Sequence, residues 1–251
     1  MTDLGRRRTS FGSVAAVYER GRPGYPGEAV AWLAERLRIE PGRDVLDLGA
    51  GTGKLTRQLV LLGARVVAVE PQPDFVRLLH WLFGRDAGVE IVAKAVGRSA
   101  GSAELLVSER TPTVTTLSQA WVDDVRRDPR FRNVSWAHGE RVEVVTLESL
   151  VERYGEPAFM KLDIEGFEAE ALAGLATPVH ALSFEYLPAT RAIAMTCIDR
   201  LAALGRYRYN WSPGESHRLT AERWLEPRAM RALLDELAPL AASGDIYAQR
   251  D

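Results

Sequence analysis

The chain has 251 residues and a formal net charge of −2, long enough for one large α/β domain and too nearly neutral to be drawn to nucleic acid or an anionic membrane. Its 46% hydrophobic and 26% charged residues are ordinary globular composition, and no apolar run reaches the ~20 residues of a membrane span. One cysteine, Cys197, excludes an intramolecular disulfide and a cysteine-based zinc site, and it fits a reducing compartment.

In chain order, MTDLGRRRTSFGSVAAVYERG carries arginines with no apolar stretch behind them, because Tyr18, Glu19 and Arg20 interrupt it. It reads as neither a secretory nor a twin-arginine leader, and Arg6, Arg7 and Arg8 read as a solvated terminus. The expectation is a soluble, cytoplasmic protein. Short β-branched runs then alternate with helical segments, the pattern of a parallel α/β sheet. DVLDLG (44–49) predicts a buried strand, followed by a helix from about Lys54 to Leu62. ARVVAVEP (64–71) predicts a second strand and DFVRLLHWLF (74–83) a helix. VEIVAKAVG (89–97) predicts a third strand, with SAELLVS (102–108) an extra strand or its hairpin partner.

Residues 109–140 have little helical potential outside SQAWVDDVRR (118–127). So long an irregular stretch in a compact domain is usually functional or mobile, so it is read as an insertion that forms part of an acceptor pocket or a lid. The regular pattern resumes with a strand at 141–146, a short helix, and the buried strand AFMKLD (158–163). A helix over EGFEAEALAGL, a strand ALSFEYLP and a helix IAMTCIDRLAAL follow. YRYNWSPGESH, a helix over EPRAMRALLDELA and a last strand GDIYAQR close the chain. No repeat or low-complexity linker divides it, so 1–251 reads as one domain.

VLDLGAGTGKLT (45–56) raises three ligand readings. A phosphate-binding P-loop needs G-x-x-x-x-G-K-[ST]; here Gly49 to Gly53 is one residue short, and Leu55 stands where the magnesium hydroxyl belongs. The dinucleotide turn G-x-G-x-x-G fails more narrowly, since its third glycine falls at 53 rather than 54. Glu70, at the end of the second strand, stands where dinucleotide and adenosyl sites alike put the carboxylate for ribose hydroxyls, so a nicotinamide-dependent oxidoreductase stays open.

D-L-G-A-G-T-G, with E-P at the next strand end, resembles motif I of the class I S-adenosylmethionine-dependent methyltransferases. The resemblance implies a Rossmann-like α/β fold: a mostly parallel seven-stranded sheet with helices on both faces. It implies that Asp47 orients the methionine moiety and that Gly49, Ala50, Gly51, Gly53 and Leu55 let the cofactor lie against the chain. Glu70 would bind the ribose, Pro71 and Gln72 would flank the adenine, and Ala95 and Asp163 would complete the cofactor contacts. Upstream, the Y-x-x-x-R-P-x-Y-P of residues 18–26 resembles the lead-in of many small-molecule methyltransferases. That implies a cofactor-covering helical segment over 1–40, with Tyr18, Arg22 and Tyr25 near the methionine end. The plainer alternative is a rigid turn at Pro23 and Pro26 into an amphipathic helix, with Trp32 and Leu33 in the core.

From about 140 to 251 the chain resembles the FkbM family of methyltransferases, on the pattern K-I-D-x-E-G-x-E. Lys161, Asp163, Glu165, Gly166 and Glu168 match it. The glycine loop departs from it, with Gly-Thr-Gly where FkbM proteins often carry Asn.

Methyl transfer to a hydroxyl needs a positioned acceptor and a group to take its proton. Asp163 and Glu165, just past a strand end, are the catalytic candidates, with helix capping as the plainer alternative. Glu168 reads as a first-turn helix acid. His217, with Glu215 near, is the best histidine base and His138 the second, whereas His80 and His180 read as structural. Asp163, Glu165 and a histidine would suit Mg²⁺, although no metal site is assigned. Trp121, Trp136 and Trp211 could stack on a sugar or a ring system, or fill the core.

The FkbM resemblance implies O-methylation of a sugar or natural-product hydroxyl on a small-molecule acceptor. No nucleic-acid or membrane partner is expected, and a homodimer is allowed. N-methylation, macromolecular methylation and a catalytically silent cofactor-binding module remain alternatives.

Overall fold

The structure, a computed structural model, describes every residue except 1–26, 38, 109–110, 215, 217 and 238–242. Tyr18, Arg22, Tyr25, Glu215 and His217, with most of the expected cofactor-covering segment, therefore lie outside the described residues. Among the described residues, no helix is long and apolar enough to cross a membrane.

Strands β1 (Asp44–Leu48), β2 (Arg65–Val69) and β7 (Phe159–Leu162) are buried over nearly their whole length, as continuous apolar runs in a parallel sheet must be. With β3 (Val89–Val92), β8 (Ala181–Tyr186), β9 (Tyr207–Pro213) and β10 (Gly244–Arg250) they form one sheet in the order β3-β2-β1-β7-β8-β10-β9. β10 runs antiparallel to both β8 and β9, and the other pairings are parallel. The expected mostly parallel seven-stranded α/β sheet is present.

Helices cover both faces. On one, Leu46, Leu48, Met160, Leu162 and Phe184 pack under α5 (Leu147–Tyr154), α6 (Glu168–Ala173), α7 (Arg191–Leu204) and α8 (Pro227–Glu236). On the other, Val45, Val66, Phe159, Ala181 and Tyr247 pack under α1 (Gly27–Leu37) and α2 (Lys54–Leu61). That second face changes character along the strands. Two residues on from Val45, Phe159 and Ala181 stand Asp47, Lys161 and Ser183, pointing to the same side. Apolar burial at one end of the sheet gives way to polar groups at the carboxyl ends of the parallel strands.

The chain from 89 to 97 is not one strand. β3 is only half-buried at the sheet edge and stops at Val92, the Lys94 N–H bonds back to the Val92 carbonyl, and Ala95–Val96 (β4) enters a second sheet. That sheet has the order β4-β6-β5. β5 (Gly101–Val107) pairs antiparallel with β6 (Ala137–Val145), not with β3. The irregular segment is thereby shorter than expected, since residues 137–140 belong to β6. Between them lie α4 (Gln119–Val125) and two short 3-10 turns, closed over their own core of Val114, Trp121, Val122 and Val125 against Leu187. α3 (Pro73–Phe83) links β2 and β3, its Pro73 in the first turn where no amide is missed.

Candidate active site

A cleft opens at the carboxyl ends of β1, β2, β7 and β8, where ligands bind in open α/β sheets. The glycine loop forms its near wall. Gly49 has φ 79°, and a Cβ there would stand 1.9 Å from the Asp163 carbonyl oxygen, so only glycine lets β1 and β7 leave the sheet this close together. Gly51 has φ 52°, but a Cβ on it would meet only the Gly49 oxygen at 3.8 Å, which leaves its approach open to the cleft. Gly53 has a packing role. It does not line the cleft, and a Cβ there would strike Phe83 at 2.5 Å, so it allows α2 to pack against α3.

Glu70 ties loop to strand. Its Oε2 accepts the Gly51 N–H and its Oε1 the Gln72 N–H, both at 2.8 Å. Burial outweighs these two bonds and pushes its pKa up to about 7. Asp47 accepts the Thr56 hydroxyl at 2.6 Å, and burial likewise raises it to about 6. The side-chain oxygen Oε1 of Gln72 is buried at the cleft wall with no hydrogen-bond partner among the described residues. An acceptor left unsatisfied there suits a ligand bearing an N–H donor, as an adenine amino group does.

The adjoining wall is built by the loop after β7. Glu165 sits at φ 52°, the sole non-glycine residue at positive φ among the described residues, and its carbonyl accepts the Thr116 hydroxyl at 2.7 Å. Gly166, at φ 83°, lies flat on the Trp121 indole, where a Cβ would come within 2.0 Å of the ring. Glu168 is more than a first-turn acid. It is 2% exposed, and its Oε1 accepts the Ile164 and Gly166 N–H groups at 3.2 Å, holding the loop closed. Burial, with Asp163 nearby, raises it to about 7.

Asp163, Glu165 and Glu185 each bring a carboxylate oxygen to within 4.8 Å of the others. Burial, then the Asp163 and Glu168 charges, push Glu185 well above the carboxylate range. Lys161, almost fully buried, reaches Asp245 Oδ1 at 2.9 Å and Asp163 Oδ2 at 3.3 Å. Such a trio can take a proton from a neighbouring hydroxyl, and its oxygens are the donors a hard divalent cation accepts.

Of the expected site residues, Asp47, Gly49, Ala50, Gly51, Leu55, Glu70, Pro71, Gln72, Ala95, Asp163 and Glu165 all line this one cleft. No tryptophan of the three does. Trp121 is 1% exposed and packs edge-on against Phe131 and Trp136. Trp136 donates to the Val114 carbonyl at 2.7 Å, and Trp211 packs against the main core. His138 falls on β6 in the small sheet. Glu185 and Asp245 went unnoticed in the sequence. Their signal was a charged residue placed where an otherwise apolar strand meets the cleft, in ALSFEYLP and GDIYAQR.

The model of the methyltransferase FkbM domain matches residues 47–186, from Asp47 on β1 to the end of β8. The chain belongs to the FkbM methyltransferase family. An uncharacterized methyltransferase of Mycobacterium tuberculosis is 39% identical over 127 residues, covering 50% of this chain and 47% of that protein. An uncharacterized methyltransferase-like protein of Schizosaccharomyces pombe is 32% identical over 75 residues, 30% of this chain and 29% of its own. The chain thus spans at most about half the length of these curated relatives. Among solved structures, an O-methyltransferase from Bacillus cereus in complex with S-adenosylhomocysteine has a TM-score of 0.47 at 12% identity, over 97% of this chain and 90% of that one. For a member of this family S-adenosylmethionine is the implied methyl donor. The open approach over Gly51, the Glu70 carboxylate and the unsatisfied Gln72 oxygen fit its adenosyl part.

Proposed function

We propose that this FkbM methyltransferase transfers the methyl group of S-adenosylmethionine to a hydroxyl oxygen of a small molecule. The convergence of Asp163, Glu165 and Glu185 beside Gly49 carries the reading. When bound, the cofactor supplies an electrophilic methyl group, so the chain has only to bind, orient and remove a proton. Glu70, fixed by two backbone amides, keeps lone pairs for the ribose hydroxyls. Asp47 and Asp163, which line the cleft, would hold the methionine end. An ionised carboxylate of the trio Asp163, Glu165 and Glu185 takes the acceptor proton as the oxygen attacks.

The same charges favour a hydroxyl over an amine. Carboxylates hold an amine in its ammonium form, which has no lone pair with which to attack. They also disfavour nucleic acid, because Asp47, Glu70, Asp163, Glu165, Glu185 and Asp245 line the cleft against Lys54, Lys94 and Lys161. Pro112, Thr113, Thr115 and Thr116 of the irregular segment line the opposite wall, and this is the side on which we place the acceptor.

The test incubates the purified chain with methyl-labelled S-adenosylmethionine and a panel of sugars, polyols and phenols, with amines and RNA alongside. S-adenosylhomocysteine release with a member of the hydroxyl set is expected. Release only with amines or RNA would overturn the acceptor assignment, and tighter binding of NAD(H) than of S-adenosylhomocysteine would overturn the cofactor. Added EDTA separates the two uses of the carboxylate trio. Turnover survives it if the acids move a proton; turnover is lost, with S-adenosylhomocysteine binding intact, if they hold Mg²⁺.

A further inference from the structure

Helix α3 starts without a side-chain cap. Gln72 holds its N-cap position in extended backbone, φ −76° and ψ 118°, where a Ser, Thr, Asp or Asn would turn its oxygen onto the first-turn amides. The Gln72 side chain makes no such bond. It lies along the cleft wall, 7% exposed, with Oε1 buried and without a hydrogen-bond partner among the described residues. A buried acceptor is rarely left unpaired, so its donor is one that a ligand brings. The backbone indicates which part of the ligand. Gln72 donates its N–H to Glu70 Oε1 at 2.8 Å, so the carboxylate placed at the ribose also anchors the residue that carries the open acceptor. Beside it, where β3 ends, Ala93, Lys94 and Ala95 bring two methyl groups and a cation, and no side-chain acceptor. Among the described residues that line the cleft, Gln72 is the sole Asn or Gln.

We infer that Gln72 sets the base specificity of the cofactor site: its Oε1 accepts the exocyclic amino group of adenine and turns away a 6-oxo purine, whose oxygen would meet it lone pair against lone pair. Pro71 and Phe75, also in the cleft lining, give apolar surface that any purine can use, and they do not tell the two bases apart. A desolvated acceptor discriminates against a ligand lacking the donor far more sharply than apolar surface does. The inference rests on the cleft being an S-adenosylmethionine site and names the atom by which that site reads the base.

Two ligands test this without a methyl acceptor. S-adenosylhomocysteine carries the amino group at position 6 of the purine, and S-inosylhomocysteine carries an oxygen there. By calorimetry the intact chain is expected to bind the adenosyl compound roughly tenfold more tightly, or better. Gln72→Met keeps the length of the side chain and removes the acceptor, so the ratio of the two affinities falls toward one. The backbone bond to Glu70 survives that substitution, and the ribose contact with it. A residue that only shapes the wall would weaken both ligands alike and leave the ratio where it was, and that result overturns the inference. So does an intact chain that binds S-adenosylhomocysteine tightly but with a ratio near one, the outcome expected if the amide turns its nitrogen to meet a 6-oxo base. Should Gln72→Met fail to unfold cooperatively in urea, Gln72→Ala decides in its place: a ratio near one supports the inference and an unchanged ratio overturns it. An intact chain that binds neither compound overturns the cofactor reading and this inference with it.

Discussion

Two glycines two residues apart in the same loop do different work, and substitution separates them. At Gly49 an alanine methyl would overlap the Asp163 carbonyl, backbone against backbone, at a left-handed φ. Neither strand can retreat without breaking the parallel pairing of β1 and β7. Gly49→Ala is therefore expected to cost at least about 3 kcal/mol in urea unfolding. At Gly51 the same methyl points into open space, so only the left-handed strain remains, on the order of 1 kcal/mol. Gly51→Ala should fold and melt cooperatively yet bind S-adenosylhomocysteine at least tenfold more weakly, because its methyl stands in the ligand's path. Equal stability losses at the two positions would contradict this division. Glu70→Ala tests the neighbouring carboxylate. It leaves the Gly51 and Gln72 amides without their acceptor and removes the partner assigned to the ribose, so a tenfold or larger loss of S-adenosylhomocysteine affinity is expected by calorimetry. Unchanged affinity would reject the ribose role.

At the scale of elements, the segment between β5 and β6 decides whether the acceptor side is a wall or a moving cover. Trp121 is the hinge of the question. It is buried beneath Gly166, flanked by Phe131 and Trp136, and it fastens α4 to the loop that carries Asp163 and Glu165. Trp121→Ala should cost about 3–5 kcal/mol, as large aromatic truncations in a core do. Hydrogen exchange gives the direct reading. A wall keeps the amides of Gln119–Val125 equally protected with and without S-adenosylhomocysteine, whereas a cover gains protection only when the ligand is bound.

The sequence made the main sheet legible and this segment's core not, for one physical reason. Buried parallel strands announce themselves as short apolar runs such as DVLDL and FMKL. Trp121, Val122 and Val125 by contrast sit in a two-turn helix that SQAWVDDVRR does show. Its partners Val114, Phe131, Val134 and Trp136 lie in irregular chain around it and Leu187 comes from a distant strand end, so no spacing records the small core they make. The same holds for the site. The glycine loop and Glu70 lie within 22 residues (49–70) and could be read together. Glu185 and Asp245 reach the cleft only through strand order, which puts β10 beside β8, and no local spacing records that.

For the molecule as a whole, the cleft's acids set the direction in which stability depends on pH. Glu70 and Glu168 titrate near 7 and Asp47 near 6, all raised by burial, and Glu185 is raised as well. Their unfolded values lie near 4 to 4.5, so between there and about pH 7 the folded chain binds more protons than the unfolded one. Stability must then fall as pH rises through that window. The opposing groups act lower down. Asp128, Glu143, Glu148 and Glu170 are depressed by their partners Arg130, Lys94, Thr177 and Arg98, so they withdraw stability only as pH drops below the usual carboxylate range. The urea midpoint should therefore peak at about pH 4 to 4.5 and decline toward pH 8, instead of holding flat through neutrality. Glu168→Gln isolates one contributor. Its amide oxygen can still accept the Ile164 and Gly166 amides but cannot ionise, so the variant should lose on the order of 2–3 kcal/mol of the decline between pH 5 and 8. A midpoint that rises from pH 5 to 8 in the intact chain would mean that these carboxyls are ionised at no cost. The cleft would then be wetter and less confining than its burial indicates.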